Sequence, residues 1–275
     1  MRIVIQGGIA SFHHAAALNY FPRTPLDLIP CDLFSQVCEA VSDGKADRGI
    51  MAIENTLAGS ILPNYLLLMA HSLHIVGELH LRIDQNLMAL PGQTLREIHT
   101  ARSHPMALLQ CSDFFHANKW IKPEQSFDTA DSARDVRQQN LRGVAAIAGR
   151  LAAELYELEI IAANIENPGS NFTRFLILSR EMLPSNAGQN KATVTFSIRH
   201  QPGALVEALR IFGDLGCNLT LIQSVPITDK PYEYLFCVDF EFDSETEFNT
   251  ALIRLRQQTD ELTLIGTYRR GTRAR

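Results

Sequence analysis

Apolar runs too short to be buried helices recur along the first two thirds of the chain, each followed by a turn and then a helical pattern. Ile3-Val4-Ile5 precedes Gly7-Gly8 and the helix-like Ala15 to Tyr20. Gly49-Ile50-Met51-Ala52-Ile53 precedes Glu54-Asn55-Thr56 and a helix from Leu62 to Ala70, and Val144 to Gly149 precedes a helix from Leu151 to Leu158. A run of about four to eight apolar residues between turn formers fits a buried strand. Strands that alternate with helices in this way require an α/β architecture with mostly parallel strands and helices on the sheet faces. Ligands of open α/β sheets bind beyond the carboxyl ends of strands. Glu54, Asn55 and the Gly59-Ser60 turn are therefore candidate site residues, although the same residues also suit a helix cap.

Polar groups collect at further turns of the same kind. Ser103-His104-Pro105 opens a helix expected over Met106 to His116, with Ser103 at a cap position and Pro105 in the first turn. Gln110 lies on that helix, and whether it faces a cleft depends on helix phase. Phe127-Asp128-Thr129-Ala130-Asp131 precedes a helix from Ala133 to Gln139. Asn171-Phe172-Thr173-Arg174 runs into the strand-like Phe175 to Leu178, which places hydrogen-bonding groups and a cationic fork suited to carboxylates on a rigid edge. The long extended stretch from Ile75 to Leu90, interrupted by Gly77 and Asp84-Gln85-Asn86, suits a crossover between two lobes. The adjacent His13 and His14 cannot share one helical face, which argues against a two-histidine metal clamp and for a partly exposed pair.

A stretch of turn formers, residues 182–191, interrupts the pattern and separates 1–181 from 192–275. Val194, Phe196 and Ile198 then alternate with polar residues, and Leu205, Leu209, Phe212 and Leu215 recur at helical spacing. Strands around Leu219 to Val225 and Tyr234 to Phe242, a helix carrying Phe248, Leu252 and Leu255, and a last strand at Leu262 to Gly266 complete a βαββαβ order, the ferredoxin-like arrangement.

Composition narrows the partners. A net charge of -5 and a pI near 6.0 give no general attraction to nucleic acid or an acidic membrane, so an anionic ligand must be held locally. Met1 to Gly7 is too short an apolar run for a signal peptide and no membrane span is apparent, so a cytoplasmic protein is expected. The Asn171-Phe172-Thr173 glycosylation signature is then without use. Five cysteines without a CxxC pair point to reduced, packed thiols, with no metal site. Gly7-Gly8 lacks the spacing of a dinucleotide fingerprint, and no cofactor is expected.

Together, and in this order, Ile53-Glu54-Asn55-Thr56-Leu57-Ala58-Gly59, Ser103-His104-Pro105 with Leu108 and Gln110, Asp128-Thr129-Ala130 and Asn171-Phe172-Thr173-Arg174-Phe175 resemble prephenate dehydratases that carry a C-terminal ACT regulatory domain. The resemblance implies a two-lobed catalytic domain like that of periplasmic binding proteins, followed by a ferredoxin-like ACT domain. It implies conversion of prephenate to phenylpyruvate with loss of water and carbon dioxide, in a homo-oligomer (dimer or tetramer). Thr173 would be the catalytic residue, with Glu54 or His104 as lesser contributors. Asn55, Ser103, Gln110, Thr129, Arg174, Glu54 and Asn171 would hold substrate. The chain departs from the family pattern at Ala10, where a second glycine is usual, and at His13, where a small hydroxyl-bearing residue is usual. L-Phenylalanine would be the allosteric effector, bound by Gly203, Ala204, Leu205 and Asn218. Gln223-Ser224-Val225-Pro226 replaces both charged residues of the family's partner motif, so weaker or altered inhibition is expected. A hinged α/β binding protein without catalysis, sensing an amino acid through the same tail, would share much of this pattern.

Overall fold

The computed structural model describes residues 1–169, 171–184, 188–227 and 233–274. The first lobe runs through β1 (Arg2–Gln6), α1 (Phe12–Tyr20), β2 (Asp27–Cys31), α2 (Phe34–Ser42), β3 (Arg48–Asn55), β4 (Gly59–Ser60), α3 (Leu62–Ala70) and β5 (His74–Arg82). The second contains β6 (Asn86–Ala89), β7 (Thr100–Ser103), α4 (Pro105–Gln110), α5 (Ser112–Ala117), β8 (Lys122–Gln125), α6 (Thr129–Gln138), β9 (Val144–Ala148), α7 (Arg150–Leu155) and β10 (Glu159–Ala162). The chain returns to the first lobe in β11 (Phe172–Ser179). It then builds a C-terminal unit from β12 (Lys191–Ser197), α8 (Ala204–Asp214), β13 (Asn218–Pro226), β14 (Tyr234–Glu241), α9 (Glu245–Gln258) and β15 (Glu261–Tyr268), and β16 (Arg273–Ala274) rejoins the first sheet.

Among the described residues three sheets result. The first has the order β16-β5-β11-β3-β1-β2 with β4 paired to β3, the second β10-β6-β9-β7-β8, and the third β13-β14-β12-β15. The expected mostly parallel sheets are mixed instead. β1 pairs in parallel with β2 and β3, but β11 lies antiparallel between β3 and β5 because it re-enters from the other lobe. The extended stretch after Ile75 does carry a crossover: it leaves the first sheet at Arg82 and enters the second at Asn86. The two crossing segments are tied together by Ile83 N–H to Asn171 O (2.8 Å) and Ile165 N–H to Gln85 O (2.8 Å). The helix expected over Met106 to His116 is broken at Cys111 into α4 and α5, and β2 was not anticipated.

The two faces of the first sheet bury different sets of residues, as the period of a strand dictates. Ile3 and Ile5 of β1, Ile50 and Ala52 of β3, and Phe175 and Ile177 of β11 pack with Ala16 and Ala17 of α1. Val4, Met51, Ile53, Leu176 and Leu178 face the other way, against Val37 and Val41 of α2 and Tyr65 and Leu68 of α3. That second core continues into Leu221, Cys237, Ile265 and Tyr268 of the third sheet, so the C-terminal unit docks on the back of the first lobe. The approach is close at Gly266, where a Cβ would lie 2.1 Å from Ile75 O, and only glycine lets β15 come so near β5. The other face of the third sheet buries Val194, Phe196, Phe212, Val238, Phe240 and Phe248 under α8 and α9. Of the stretch 182–191, residues 185–187 lie outside the described residues, and Lys191 is already the first residue of β12. Among the described residues no helix is long and apolar enough to cross a membrane.

Candidate active site

The carboxyl end of β3 slips by one residue against β11. Ala52 pairs with Phe175, but Glu54 pairs with Arg174 and Asn55 with Thr173, which leaves Ile53 as the extra residue of a β-bulge. A bulge reverses which face the following side chains occupy. In a regular strand Glu54 would share the Ala52 face. With the slip, Asn55 joins Thr173 and Phe175 on the α1 side, and Glu54 joins Arg174 on the other.

Asn55 begins a chain of side-chain amides whose orientations are fixed by the backbone. The N–H groups of Leu57 and Ala58 donate to Asn55 Oδ1 (3.0 and 2.9 Å), so Asn55 Nδ2 must be the donating end. It reaches Thr173 Oγ1 at 3.0 Å and Asn171 Oδ1 at 2.8 Å. Asn171 Nδ2 in turn donates to Gln110 Oε1 at 3.1 Å, from which Gln85 Nε2 lies 3.5 Å away. Asn55 and Asn171 thereby join the first lobe to α4 of the second. A hydroxyl has one proton and two acceptor sites. With Asn55 on one acceptor site, the Thr173 proton is left for an acceptor in the cavity.

That cavity, about 560 Å³ between the lobes, is within the usual size for a small-molecule site. Thr173, Asn55, Gln110, Thr129, His104 and Phe175 line it. The amino ends of three helices meet there. α1 begins after Ser11, whose hydroxyl accepts from His14 N–H; α4 begins after His104; and α6 begins after Asp128. Nδ1 of His104 accepts the Met106 N–H (3.2 Å), so the ring proton lies on Nε2. Asp128 accepts from Ala130 and Asp131 N–H at 2.7 and 3.2 Å. No Lys or Arg is among the described residues that line the cavity. No group of three or more His, Cys, Asp or Glu among the described residues is placed to share a metal ion.

Three expected positions are corrected. Arg174 is 4% exposed and points away from the cavity. Its Nε donates to Glu78 Oε2 (2.7 Å), its Nη2 donates to Tyr268 Oη (3.1 Å), and it forms an ion pair with Asp239 of β14. Lys191 Nζ lies 3.1 Å from the same Glu78 carboxylate. The alternation along β11 places Arg174 on the Leu176 face, which the C-terminal unit covers. Burial works against the Glu78 carboxylate, but Arg174 and Lys191 beside it hold its carboxyl below the ordinary value. Glu54 is turned off the cavity by the bulge. Ser103 is fully buried in β7, where its hydroxyl donates to Ile147 O (2.6 Å), and His104 takes the cap position instead. The histidine pair is also buried rather than partly exposed, at 9% for His13 and 8% for His14. Asn171, 3% exposed, stands behind the lining residues as the bridge between Asn55 and Gln110. Sequence reasoning missed Gln85 and His13 as cavity residues; the polar break Asp84-Gln85-Asn86 in an apolar stretch was the available signal for Gln85.

In the C-terminal unit Gly203 is the residue before α8, at φ 86°, and Ala204 and Leu205 open the helix. A cavity of about 200 Å³ is lined there by Gly203, Leu205, Tyr234 and Phe236. Asn218 does not join them. It follows the opposite end of α8, about 16 Å away for an 11-residue helix.

Comparison with known proteins identifies the family. Residues 3–183 match the family model described as prephenate dehydratase. The chain is 36% identical to arogenate dehydratase/prephenate dehydratase 2 of Arabidopsis thaliana, a chloroplastic protein, over 98% of this chain and 72% of that one. Its structure superposes with a TM-score of 0.89 and 32% identity on GqqA, described as a novel type of quorum quenching acylase, covering 98% of both chains. It superposes at 0.83 and 27% identity on a prephenate dehydratase from Arthrobacter aurescens in complex with L-Phe, covering 98% of this chain and 90% of that one. The chain belongs to the prephenate dehydratase family.

Proposed function

We propose that the chain converts prephenate to phenylpyruvate, water and carbon dioxide. The observation that carries this is the orientation of Thr173, whose hydroxyl accepts from Asn55 Nδ2 and keeps its own proton for the cavity. In the reaction the ring carbon–oxygen bond breaks with its electron pair on oxygen, the ring carboxylate leaves as carbon dioxide, and the carbon–carbon bond electrons complete the aromatic ring. Aromatisation supplies the driving force. What the protein must add is alignment and a donor to the departing oxygen. Thr173 acts as that directional hydrogen-bond donor, and the proton that completes the water comes from solvent. Gln110 and Thr129 hold substrate, while Asn55, whose two amide hydrogens go to Thr173 and Asn171, positions the Thr173 hydroxyl, and Asn171 relays that orientation to Gln110.

Prephenate is favoured over arogenate, which carries an ammonium group in place of the keto oxygen, because a desolvated ammonium group calls for a carboxylate partner. Asp128 is the one carboxylate among the described residues that line the cavity, and its Oδ1 already accepts the N–H groups of Ala130 and Asp131. Amide hydrolysis, as named for the acylase, would need a nucleophile beside a base, and the partner recorded for Thr173 Oγ1 is an amide nitrogen. The test is to supply the purified chain with prephenate and with arogenate separately, following phenylpyruvate by its absorbance in alkali and phenylalanine by chromatography. At least a tenfold higher kcat/KM for prephenate is expected, and the reverse ratio would assign the chain to arogenate.

The C-terminal unit serves as an ACT regulatory domain that binds phenylalanine. The support is the L-Phe bound by the Arthrobacter aurescens relative and the open turn at Gly203. Because Gly203 and Asn218 lie at opposite ends of α8, a site that uses both requires a second copy of the chain, which fits a homo-oligomer.

A further inference from the structure

His13 and His14 both accept a backbone N–H, but with different ring nitrogens. His14 Nδ1 takes Ala10 N–H (3.0 Å) and so steadies the left-handed backbone of Ala10 at φ 73°, where the family has glycine. His13 Nε2 takes Ala52 N–H (3.3 Å) beside the bulge in β3. A neutral imidazole has one donor and one acceptor nitrogen. The Ala52 N–H therefore places the His13 proton on Nδ1. The ring is wedged against Phe34 and Phe175, with centroid distances of 5.5 and 5.0 Å, and all three residues line the cleft. Among the described residues no partner is recorded for Nδ1, and Nδ1 is not among the side-chain atoms sealed from solvent without one. Burial pushes the imidazole down to about 3. Among the described residues, the other titratable groups lining the cavity are His104 and Asp128.

A dicarboxylate presents many acceptors to this cavity, and no Lys or Arg lines it among the described residues. A hydrogen bond to an ionised acceptor is about twice as strong as one between neutral groups, and a neutral donor avoids the cost of burying an unpaired cation when the cleft is empty. We propose that His13 is a substrate-binding residue that donates from Nδ1, as a neutral imidazole, to a carboxylate oxygen of the substrate. This rests on prephenate being the substrate. Where the family pattern has a small hydroxyl, this chain has another neutral donor with a longer reach and a fixed tautomer.

The two ring nitrogens allow a test that separates binding from architecture. In His13→Asn the amide nitrogen replaces Nδ1 and the contact to Ala52 is lost. In His13→Gln the amide oxygen can replace Nε2 and keep that contact, and His13→Phe keeps only the ring packing. If His13 binds substrate, KM for prephenate rises about tenfold or more in the Phe and Gln variants, stays near the parental value in the Asn variant, and changes more than kcat. Recovery by Gln and not by Asn would overturn the proposal in favour of a structural role. Nitrogen NMR of the full-length parent labelled at histidine gives a second readout that needs no variant to fold. The expected His13 signal is an Nδ1–H tautomer that is unchanged from pH 8 to pH 5 and shifts when phenylpyruvate is added. An Nε2–H tautomer, or titration near the ordinary value of 6.5, would overturn it. If the parent fails to turn over prephenate, the dehydratase assignment fails, while the tautomer spectrum still decides whether His13 is a locked donor.

Discussion

Thr173 and Arg174 are neighbours on β11, yet they serve two regions built on opposite electrostatic principles. Thr173 faces a cavity in which hydroxyls, amides, imidazoles and helix ends supply the donors. Arg174 faces a closed cluster in which two cations, Arg174 and Lys191, meet two carboxylates, Glu78 and Asp239, under the C-terminal unit. The contrast shows where a protein of this kind can keep full charges. A buried cation is stable only with its partners permanently in place. The cluster meets that condition and the cleft, which must fill and empty at each turnover, does not. The cleft thus relies on fixed dipoles, which need no counter-ion when substrate leaves.

The largest effect is expected at Thr173. Thr173→Val should lower kcat by about 10²–10⁴-fold, the usual size of a positioned proton donor's contribution, with a smaller change in KM. Thr173→Ser should retain much of the activity. Asn55→Asp tests the polarity of the same contact. A carboxylate can only accept, so the Thr173 proton would turn to the introduced carboxylate rather than to substrate, and kcat should fall nearly as far. Initial rates of phenylpyruvate formation check all three, and near-parental kcat in the Val variant would remove Thr173 from the reaction.

Arg174 should fail in a different measurement. Arg174→Met leaves Glu78 and Asp239 facing each other across a dry interface, which costs about 3–5 kcal/mol. A fall in Tm of roughly 10 °C is expected for a chain of this size. Arg174→Lys keeps the charge but cannot span Glu78, Asp239 and Tyr268 with one ammonium, so it too should lose stability while KM stays near the parental value. A selective rise in KM at unchanged Tm would return Arg174 to the cleft.

Acid separates the two regions more gently. An unfolded chain protonates His13 below its ordinary value of 6.5, whereas the folded chain keeps it neutral down to about 3. The unfolded state binds more protons throughout that window, so stability rises with pH across it. The Glu78 carboxyl, ordinarily at 4.5 and lowered by Arg174 and Lys191 against its burial, contributes stability above 4.5 that is lost as pH falls from there. The cleft should therefore weaken the fold first. Denaturant unfolding at pH 7.5 and 5.5 should show His13→Asn removing about 1 kcal/mol of the parental difference, and a parental stability that does not change over that interval would contradict the buried neutral imidazole.

The alternating strands and helices and the βαββαβ tail were legible because hydrophobic periodicity is a local signal. So was the cavity-lining position of Asn55, Gln110, Thr129 and Thr173, since each lies on a helix or beside the turn at a strand's end. Arg174 and Glu54 were misplaced for a reason no local pattern carries. A strand next to a motif reveals its period but not which face looks at the ligand, and the one-residue bulge at Ile53 exchanges Glu54 for Asn55 without marking the sequence. Ser103 was misassigned by a single position, because Ser and His both suit a cap and only the end of β7 decides between them. His13 was hidden for a related reason. Its burial comes from Phe34 and Phe175, which are distant in the chain.

The smallest expected effect lies where the C-terminal unit touches the cleft's own scaffold. Gln223 Nε2 donates to Ser60 Oγ at 3.1 Å, and Ser60 belongs to β4, which pairs with Glu54 and Asn55 of β3. The side chain that stands in place of the family's charged residue thus reaches the strand paired with the one that orients Thr173, while Val225, 7% exposed, offers only packing. A neutral hydrogen bond of this kind contributes about 0.5–1.5 kcal/mol, which bounds the coupling it can transmit to a factor of roughly 2–10. Proposed inhibition by phenylalanine should accordingly be weak in the parent. Gln223→Ala should reduce it further while leaving calorimetric binding of phenylalanine unchanged, because the contact lies away from the Gly203 turn. An initial-rate titration beside calorimetry decides the matter: cooperative inhibition at low micromolar phenylalanine, undiminished in Gln223→Ala, would mean that the switch runs through other contacts between the C-terminal unit and the first lobe, with the Arg174 to Asp239 ion pair the first to examine.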